Sequence, residues 1–195
     1  MIEDTFRKQY EKLCVEPLLK VQSLHRVHPI FLTCMACLAG VAIAPVLAFG
    51  FSLSAFFLLL FSGFLDTLDG SLARHLQLSS SKGAALDIVC DRIVESAIVL
   101  GLYMVEPSSR ALPALLMLGS ILICVTSFLI VGIFTEKVSE KSFFYSPGLI
   151  ERAEAFIFFA VMILFPTLYT PLAYIFSFLV FLTAAIRMYQ FLLAR

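Results

Sequence analysis

The chain has 195 residues, of which 61% are hydrophobic and 14% are charged, and its formal net charge at pH 7 is zero. A soluble domain carries about 25% charged residues, so this composition excludes an ordinary water-soluble globular protein, and we expect no nucleic-acid partner. Apolar runs of about 18 residues or more predict membrane helices, because a hydrocarbon core about 30 Å thick needs about 20 helical residues. Several such runs fill the chain, which we therefore predict to be an all-α integral membrane protein.

The first 22 residues differ from the rest, because charged residues alternate there with apolar ones. The apolar side chains recur at roughly helical spacing, at Phe6, Tyr10, Leu13, Leu18 and Leu19. This pattern predicts a short amphipathic helix that lies on the membrane surface. We accordingly divide the chain into a juxtamembrane helix at 1–22 and a membrane domain at 23–195.

Six apolar segments follow in the predicted membrane domain, and each is long enough for a transmembrane helix. They span residues 28–48, 52–76, 83–105, 110–134, 149–168 and 171–193. Turn-forming residues separate them, such as Gly50 and the serine-rich loop at 77–82. The sequence therefore predicts six transmembrane helices.

Basic residues fall mainly on one side of the predicted spans. That side carries Arg7, Lys8, Lys12, Lys20, Arg26, Arg74, Lys82, Lys137, Lys141, Arg152, Arg187 and Arg195. The loops on the opposite side carry only Arg110. Because cytoplasmic loops are enriched in Lys and Arg, we expect a multi-pass protein whose two termini and 77–82 loop face the cytoplasm, with the aspartate cluster described next toward the same face.

Four aspartates stand within the second and third predicted spans, where water is scarce. Asp66 and Asp69 are three residues apart, and Asp87 and Asp91 are four residues apart. Both spacings place a pair on one helical face, and the pairs can face each other because the two spans are consecutive and antiparallel. Four facing carboxylates repel strongly at low dielectric unless they take up protons or bind a cation. Oxygen ligands alone favour magnesium, manganese or calcium.

The residues around these aspartates favour a phosphate-containing ligand. Gly70 and Ala73 form a strip of small residues that lets a backbone or a flat ligand approach. Arg74 is suited to bidentate phosphate contact, and Gly83 opens the third span, where a helix N-terminus can bind an anion. This combination indicates metal-assisted phosphoryl chemistry at the membrane surface. A divalent-cation transporter is the alternative from another class, but it would not need Arg74, Ser80 and Gly83 at these positions.

The spacing of these residues resembles a family signature. It begins with D-x-x-D-G-x-x-A-R and continues, after eight further residues, with G-x-x-x-D-x-x-x-D. This pattern is similar to that of the CDP-alcohol phosphatidyltransferases. Its positions are Asp66, Asp69, Gly70, Ala73, Arg74, Gly83, Asp87 and Asp91. No position is missing, and the six predicted spans agree with the six helices of that family.

The resemblance implies a reaction and a role for each residue. It implies transfer of a phosphatidyl group from CDP-diacylglycerol to an alcohol, with release of CMP, by a homodimer. It also implies that Asp66, Asp69 and Asp87 hold magnesium or manganese, as two ions, and that Asp91 contacts the second ion and acts as the catalytic base. The CDP-alcohol would bind at Thr33, Gly70, Ala73, Arg74, Ser80 and Gly83.

Two arginines in the last two predicted spans resemble acceptor-binding residues. In the phosphatidylinositol-phosphate synthase branch of the family, arginines at the positions of Arg152 and Arg187 contact the phosphate of the acceptor. The alternative is that both are topological anchors. That branch also carries basic residues after a Ser-Tyr pair, whereas residues 127–132 have none. The two arginines favour a phosphorylated alcohol as acceptor. Because the basic residues of the inositol-phosphate branch are missing, we rank glycerol 3-phosphate first, inositol phosphate second and serine third.

Cys34 and Cys37 form a C-x-x-C pattern in the first predicted span. Such a pair can bind zinc or support redox chemistry, but no second pair accompanies it. We interpret both residues as small buried hydrophobic side chains that serve packing.

Overall fold

A computed structural model of the chain describes residues 13, 15–19, 21–22, 24–134, 150 and 152–193. The described residues are almost entirely helical and include no strand, as the sequence predicts. Their α-helices are α1 (Glu16–Leu19), α2 (Pro29–Val41), α3 (Ile43–Ala48), α4 (Ser52–His75), α5 (Ser81–Met104), α6 (Pro107–Phe134), α7 (Arg152–Leu164) and α8 (Tyr169–Leu193). They divide into two compact units, one up to Glu106 and the other from Pro107.

Particular residues set the helix ends of the first unit. Pro29 is the first residue of α2. An N–H at this position would have no partner within the helix, so a proline, which lacks the N–H, is tolerated there. The first predicted span is divided at Ala42 into α2 and α3. The reason is that Pro45 cannot donate the helical hydrogen bond to the carbonyl of Val41. Gly50, with a φ of +83°, turns the chain into α4.

The core of the first unit forms where α2 and α3 pack against α4 and α5. Glycines allow the closest approaches. A Cβ atom on Gly40 would lie 2.5 Å from Cγ2 of Val94, and one on Gly101 would lie 2.8 Å from Cα of Ala44. Because any side chain would separate the helices at these two points, the glycines set the register of α2 and α3 along α5.

The stretch before α2 packs onto the same unit. Its side chains join a hydrophobic cluster made of Val15, Leu32, Ala36, Leu65, Leu68 and Leu72, with Leu19, Leu24 and Val27 packed against it. The ring of His25 contacts that of His75 at the end of α4, with 5.3 Å between centroids. Most of residues 1–22 lie outside the described residues, so the amphipathic surface helix stays a prediction.

The second unit is built on α6 and α8, which pack along each other, and α7 packs on α8. The buried rings of Phe159 and Phe176 lie 5.6 Å apart between α7 and α8. The guanidinium of Arg110 lies 4.5 Å from the centre of the Tyr169 ring and donates to the carbonyl of Pro166 at 3.0 Å. The prediction that Arg110 belongs to a loop was wrong, because α6 begins before it and its side chain is buried.

Within the part of the chain that the structure describes, four helical segments are long and apolar enough to cross a membrane, namely Pro29–Ala48, Ser52–His75, Pro107–Phe134 and Pro166–Leu193. Helix α5 has sufficient length, with 24 residues, but carries several charged side chains. Helix α7 has 13 residues, fewer than the roughly 20 that span a bilayer core. Four of the predicted spans therefore have the required length and composition, and a total of six stays a prediction.

Candidate metal centre

Three aspartate carboxylates converge between α4 and α5 in the first unit. Asp66 and Asp69 extend from α4 and Asp87 from α5, and one oxygen of each lies within 4.8 Å of the others. Oxygen atoms that share a divalent cation at 2.0–2.6 Å are separated by about 3–5 Å. The three carboxylates are therefore close enough to bind one cation together.

The burial of these aspartates supports a bound cation. Asp69 is buried, whereas Asp66 and Asp87 are half-buried. Among the described residues, the Oδ2 atom of Asp69 has no hydrogen-bond partner. A buried oxygen without a hydrogen-bond partner costs about 1–3 kcal/mol, and more if it is charged. A bound cation would remove this free-energy penalty at Asp69. The all-oxygen donor set fits magnesium or manganese.

Packing of α4 directs its two aspartates toward this point. Leu65, Leu68 and Leu72 are buried on the same helix, and two of them directly precede Asp66 and Asp69. Burial of these leucines fixes the rotation of α4 about its axis. The alternation of apolar and acidic residues in the sequence thus specifies both the core contact and the direction of the carboxylates.

Thr33, predicted to bind the CDP-alcohol, lies beside the aspartate triad. It is buried on α2, and its hydroxyl donates to the carbonyl of Pro29 at 3.3 Å. The same hydroxyl lies close to the Asp69 carboxylate. The structure therefore adds α2 to the two helices that build the site.

Asp91, the predicted base, lies one turn after Asp87 on α5 and is half-buried. Its carboxylate does not belong to the group formed by Asp66, Asp69 and Asp87, whose oxygens lie within 4.8 Å of one another. One turn further on, the buried Glu95 forms an ion pair with Arg92 at 2.6 Å. Sequence analysis did not predict this pair, although the spacing of three residues with opposite charges is a signal for it.

The residues predicted to bind the nucleotide lie around the loop between α4 and α5. A Cβ atom on Gly70 would lie 3.5 Å from Nη1 of Arg74, whose Nη2 donates to the hydroxyl of Ser71 at 3.0 Å. Ala73 is half-buried beside them. Arg74 itself is exposed at the end of α4, so its guanidinium can reach a ligand outside the helix.

Ser80 has a structural role that sequence analysis missed. It precedes the first residue of α5, and its hydroxyl accepts a hydrogen bond from the amide of Gly83 at 3.1 Å. A serine at this position caps one of the amides that a helix N-terminus leaves without a partner. A serine in the polar loop just before an apolar helix was the available sequence signal.

Arg187 is held against α6 within the second unit. Its Nη1 donates to the carbonyl of Cys124 at 3.0 Å and to the hydroxyl of Ser127 at 3.1 Å. Its guanidinium also lies 5.5 Å from the ring centre of Phe128. Its Nε atom is buried and has no hydrogen-bond partner among the described residues. Sequence analysis missed Cys124 and Ser127 because they are about 60 residues away along the chain.

Arg152, the other predicted acceptor residue, begins α7 and is half-buried. The amide of Ile150, two residues earlier, donates to the hydroxyl of Thr183 at 3.2 Å. Thr183 lies one turn before Arg187 on α8, so the start of α7 lies next to the part of α8 that carries Arg187. Both arginines therefore belong to the same end of the second unit.

The C-x-x-C residues depart from the sequence prediction. Cys34 is exposed, and Cys37 is only half-buried, so the prediction that both are buried was wrong. Both residues lie on α2, and Cys37 is the more covered of the two. A third cysteine, Cys90 of α5, is buried.

Comparison with known proteins identifies the family. The inner membrane protein YnjF of Escherichia coli (strain K12) is 31% identical over 187 residues, which cover 90% of each chain. A crystal structure of Mycobacterium tuberculosis phosphatidylinositol phosphate synthase with CDP-DAG bound is 20% identical, with a TM-score of 0.75 over 92% of this chain and 94% of that one. The sequence model of the CDP-alcohol phosphatidyltransferases matches residues 26–192. The protein described here therefore belongs to the CDP-alcohol phosphatidyltransferase family.

Proposed function

We propose that the protein transfers a phosphatidyl group from CDP-diacylglycerol to a phosphorylated alcohol and releases CMP. The observation that carries this proposal is the convergence of Asp66, Asp69 and Asp87 within 4.8 Å of one another. These residues come from the two halves of the sequence signature, and a pyrophosphate substrate needs a cation at such a point. The solved structural neighbour, which has CDP-DAG bound, supports the same donor substrate.

The cation would be held by the three aspartates of the triad, with Asp91 next along α5 for a second ion. Magnesium or manganese, when bound, supplies positive charge that offsets the charge of the pyrophosphate. The protein itself contributes fixed ligand positions, because the carboxylates extend from packed helices. Two ions of this kind are the proposed cofactors.

The nucleotide end of the donor would lie along α4 and the start of α5. Gly70 and Ala73 leave space for a flat ligand, and Arg74 can donate two hydrogen bonds to a phosphate. Gly83 lies in the first turn of α5, where amide groups favour an anion. Ser80 caps that turn, and Thr33 approaches the same carboxylates from α2.

Asp91 would act as the base. It accepts the proton of the acceptor hydroxyl, the hydroxyl oxygen forms a bond with the phosphorus that carries diacylglycerol, and the bond from that phosphorus to the bridging oxygen breaks. CMP leaves with the bridging oxygen and its electron pair. Asp91 lies one turn beyond Asp87 and outside the carboxylate triad, which supports a role as base rather than as a ligand of the first ion.

The acceptor would be recognised through its phosphate by Arg187 and Arg152. The Nη1 atom of Arg187 is held on α6 by its hydrogen bonds to Cys124 and Ser127, which orient the side chain. Its buried Nε, without a partner among the described residues, belongs to the edge that binds oxyanions in a bidentate manner. A fixed guanidinium edge of this kind suits a dianionic phosphate, so glycerol 3-phosphate ranks first, before inositol phosphate and serine.

The membrane arrangement completes the proposal. We place the two termini and the active site on the cytoplasmic side of a multi-pass protein, because the basic residues of the loops lie on that side. Helices α5 and α7 would complete a set of six spans. A homodimer is part of the same proposal.

An acceptor screen tests the proposed function. Purified protein in detergent is given labelled CDP-diacylglycerol with magnesium and, separately, glycerol 3-phosphate, an inositol phosphate, serine and glycerol, and mass spectrometry resolves the lipid products. We expect CMP release and a lipid product with glycerol 3-phosphate. Failure of every acceptor, together with cation flux in liposomes that contain the protein, would instead establish a divalent-cation transporter.

A further inference from the structure

Two cysteines meet between α2 and α5, next to the metal centre but outside its ligand set. The thiols of Cys90 and Cys37 lie close to each other, and Cys34 is the next sulfur nearby. The four cysteines among the described residues are free thiols. Nothing in the proposed reaction uses this contact.

The helix register independently places the two side chains together. Cys37 comes three residues before Gly40, and Cys90 comes four residues before Val94. Gly40 and Val94 touch so closely that a Cβ atom on the glycine would lie 2.5 Å from Val94 Cγ2. Since α2 and α5 run in the same direction, the two cysteines occupy the preceding turn of the same contact. A disulfide needs Cα atoms about 4.4–6.8 Å apart, so the bond requires the close approach of α2 and α5 that Gly40 permits.

The pair lies directly beside the proposed catalytic residues. Cys90 falls between Asp87 and Asp91 on α5, and Cys37 lies one turn after Thr33 on α2. Any change in the separation of the two sulfur atoms therefore acts on the helical turns that carry the metal centre.

We propose that Cys37 and Cys90 form a reversible disulfide that inactivates the enzyme under oxidation by a hydroperoxide. The half-buried Cys37 is the more accessible thiol. Its sulfur attacks the peroxide oxygen, the O–O bond breaks, and a sulfenic acid forms with release of water or of the alcohol of the peroxide. The sulfur of Cys90 then displaces the hydroxyl of the sulfenic acid as water, which gives the S–S bond. Overall, two thiols lose two electrons and two protons, and the peroxide is reduced.

Closure of this bond has a geometric consequence. A disulfide sets its sulfur atoms about 2.05 Å apart, whereas non-bonded heavy atoms in contact are about 3.5–4 Å apart. The adjoining turns of α2 and α5 must therefore shift by about 1 Å or more, unless both side chains rotate to absorb the change. Displacements near 1 Å at reacting groups reduce rates by about a hundredfold, so we expect at least a tenfold loss of activity.

Peptide mapping and activity measurements on the full-length protein test the proposal. The protein in detergent is treated with tert-butyl hydroperoxide, alkylated, digested without reductant and analysed by mass spectrometry. We expect a linked peptide that contains Cys37 and Cys90, a fall of at least tenfold in CMP release, and recovery of the rate with dithiothreitol. The variants Cys37→Ser and Cys90→Ser should keep the untreated rate and resist the peroxide.

Two matched variants serve as controls. Cys34→Ser removes the neighbouring thiol of α2, and Cys124→Ser removes a thiol of the second unit, so both should stay sensitive to the peroxide. Absence of the linked peptide, or equal inactivation of Cys37→Ser, would overturn the proposal. A linked peptide with an unchanged rate would overturn the inactivation. The mapping does not depend on the reaction catalysed, so a missing transferase activity would count against the proposed function and leave the disulfide test intact.

Discussion

Replacement of Arg187 by alanine should weaken binding of the acceptor and leave binding of the donor unchanged. In the structure, the side chain is anchored to α6 through Nη1, and the Nε edge would bind the phosphate. Hydrogen bonds to charged groups contribute about 1.5–3 kcal/mol each, which corresponds to roughly a tenfold to hundredfold increase in the acceptor KM for each lost bond. The KM for CDP-diacylglycerol should change little, because Arg74 is proposed to bind the nucleotide side.

The anchor itself offers a graded control for this prediction. Ser127→Ala removes one of the acceptors of Arg187 Nη1 and retains the charge, so the acceptor KM should rise by less than in Arg187→Ala. Initial rates at saturating CDP-diacylglycerol, with glycerol 3-phosphate varied, give both values. An acceptor KM that is unchanged in Arg187→Ala and in Arg152→Ala would make the two arginines topological anchors. An uncharged alcohol would then become the expected acceptor.

Four further results are expected. Asp91→Asn should lower the rate by at least a hundredfold while CDP-diacylglycerol still binds, since general-base catalysis contributes about 10²–10⁴-fold; a rate above about a tenth of the wild-type value would contradict the base assignment. Activity should disappear in EDTA and return with magnesium or manganese, and full activity in a chelated preparation would exclude the metal centre. The double variant Cys34→Ser/Cys37→Ser should keep its activity in reducing buffer, so a folded but inactive variant would give the pair an essential role. Gly101→Leu should lower the free energy of unfolding by about 1–3 kcal/mol through overpacking against α3, measured by thermal unfolding beside Gly119→Ala, which meets no atom within 4 Å.

The local features of the fold could be predicted from the sequence because they depend on neighbours along the chain. The predicted segments 52–76 and 83–105 correspond to the observed helices Ser52–His75 and Ser81–Met104. The spacing of the aspartates likewise predicted that both pairs would face the same space, and three of the four carboxylates meet there. In contrast, the apolar pattern of the first span does not show the division at Ala42, which follows from the helical hydrogen bond that Pro45 cannot donate.

The features that could not be predicted depend on contacts between residues far apart in sequence. The anchoring of Arg187 by Cys124 joins positions 63 residues apart. The proximity of Cys37 and Cys90 is of the same kind. No local pattern specifies such a pair, because it forms only after the rotation and register of both helices have been fixed by packing. This is also why Cys34 and Cys37 were given the same burial in the sequence prediction and differ in the structure.

The metal centre depends on this packing as much as on its own signature. Asp66 and Asp69 come from α4, Asp87 comes from α5, and Thr33 approaches from α2, so three helices must keep one register. That register is fixed some distance away, where Gly40 touches Val94 and, two turns of α5 further on, Gly101 touches Ala44. Because a helix is stiff over this length, a shift at either glycine moves the carboxylates along with it. The signature residues therefore supply the ligands, while glycines outside the signature decide whether those ligands meet.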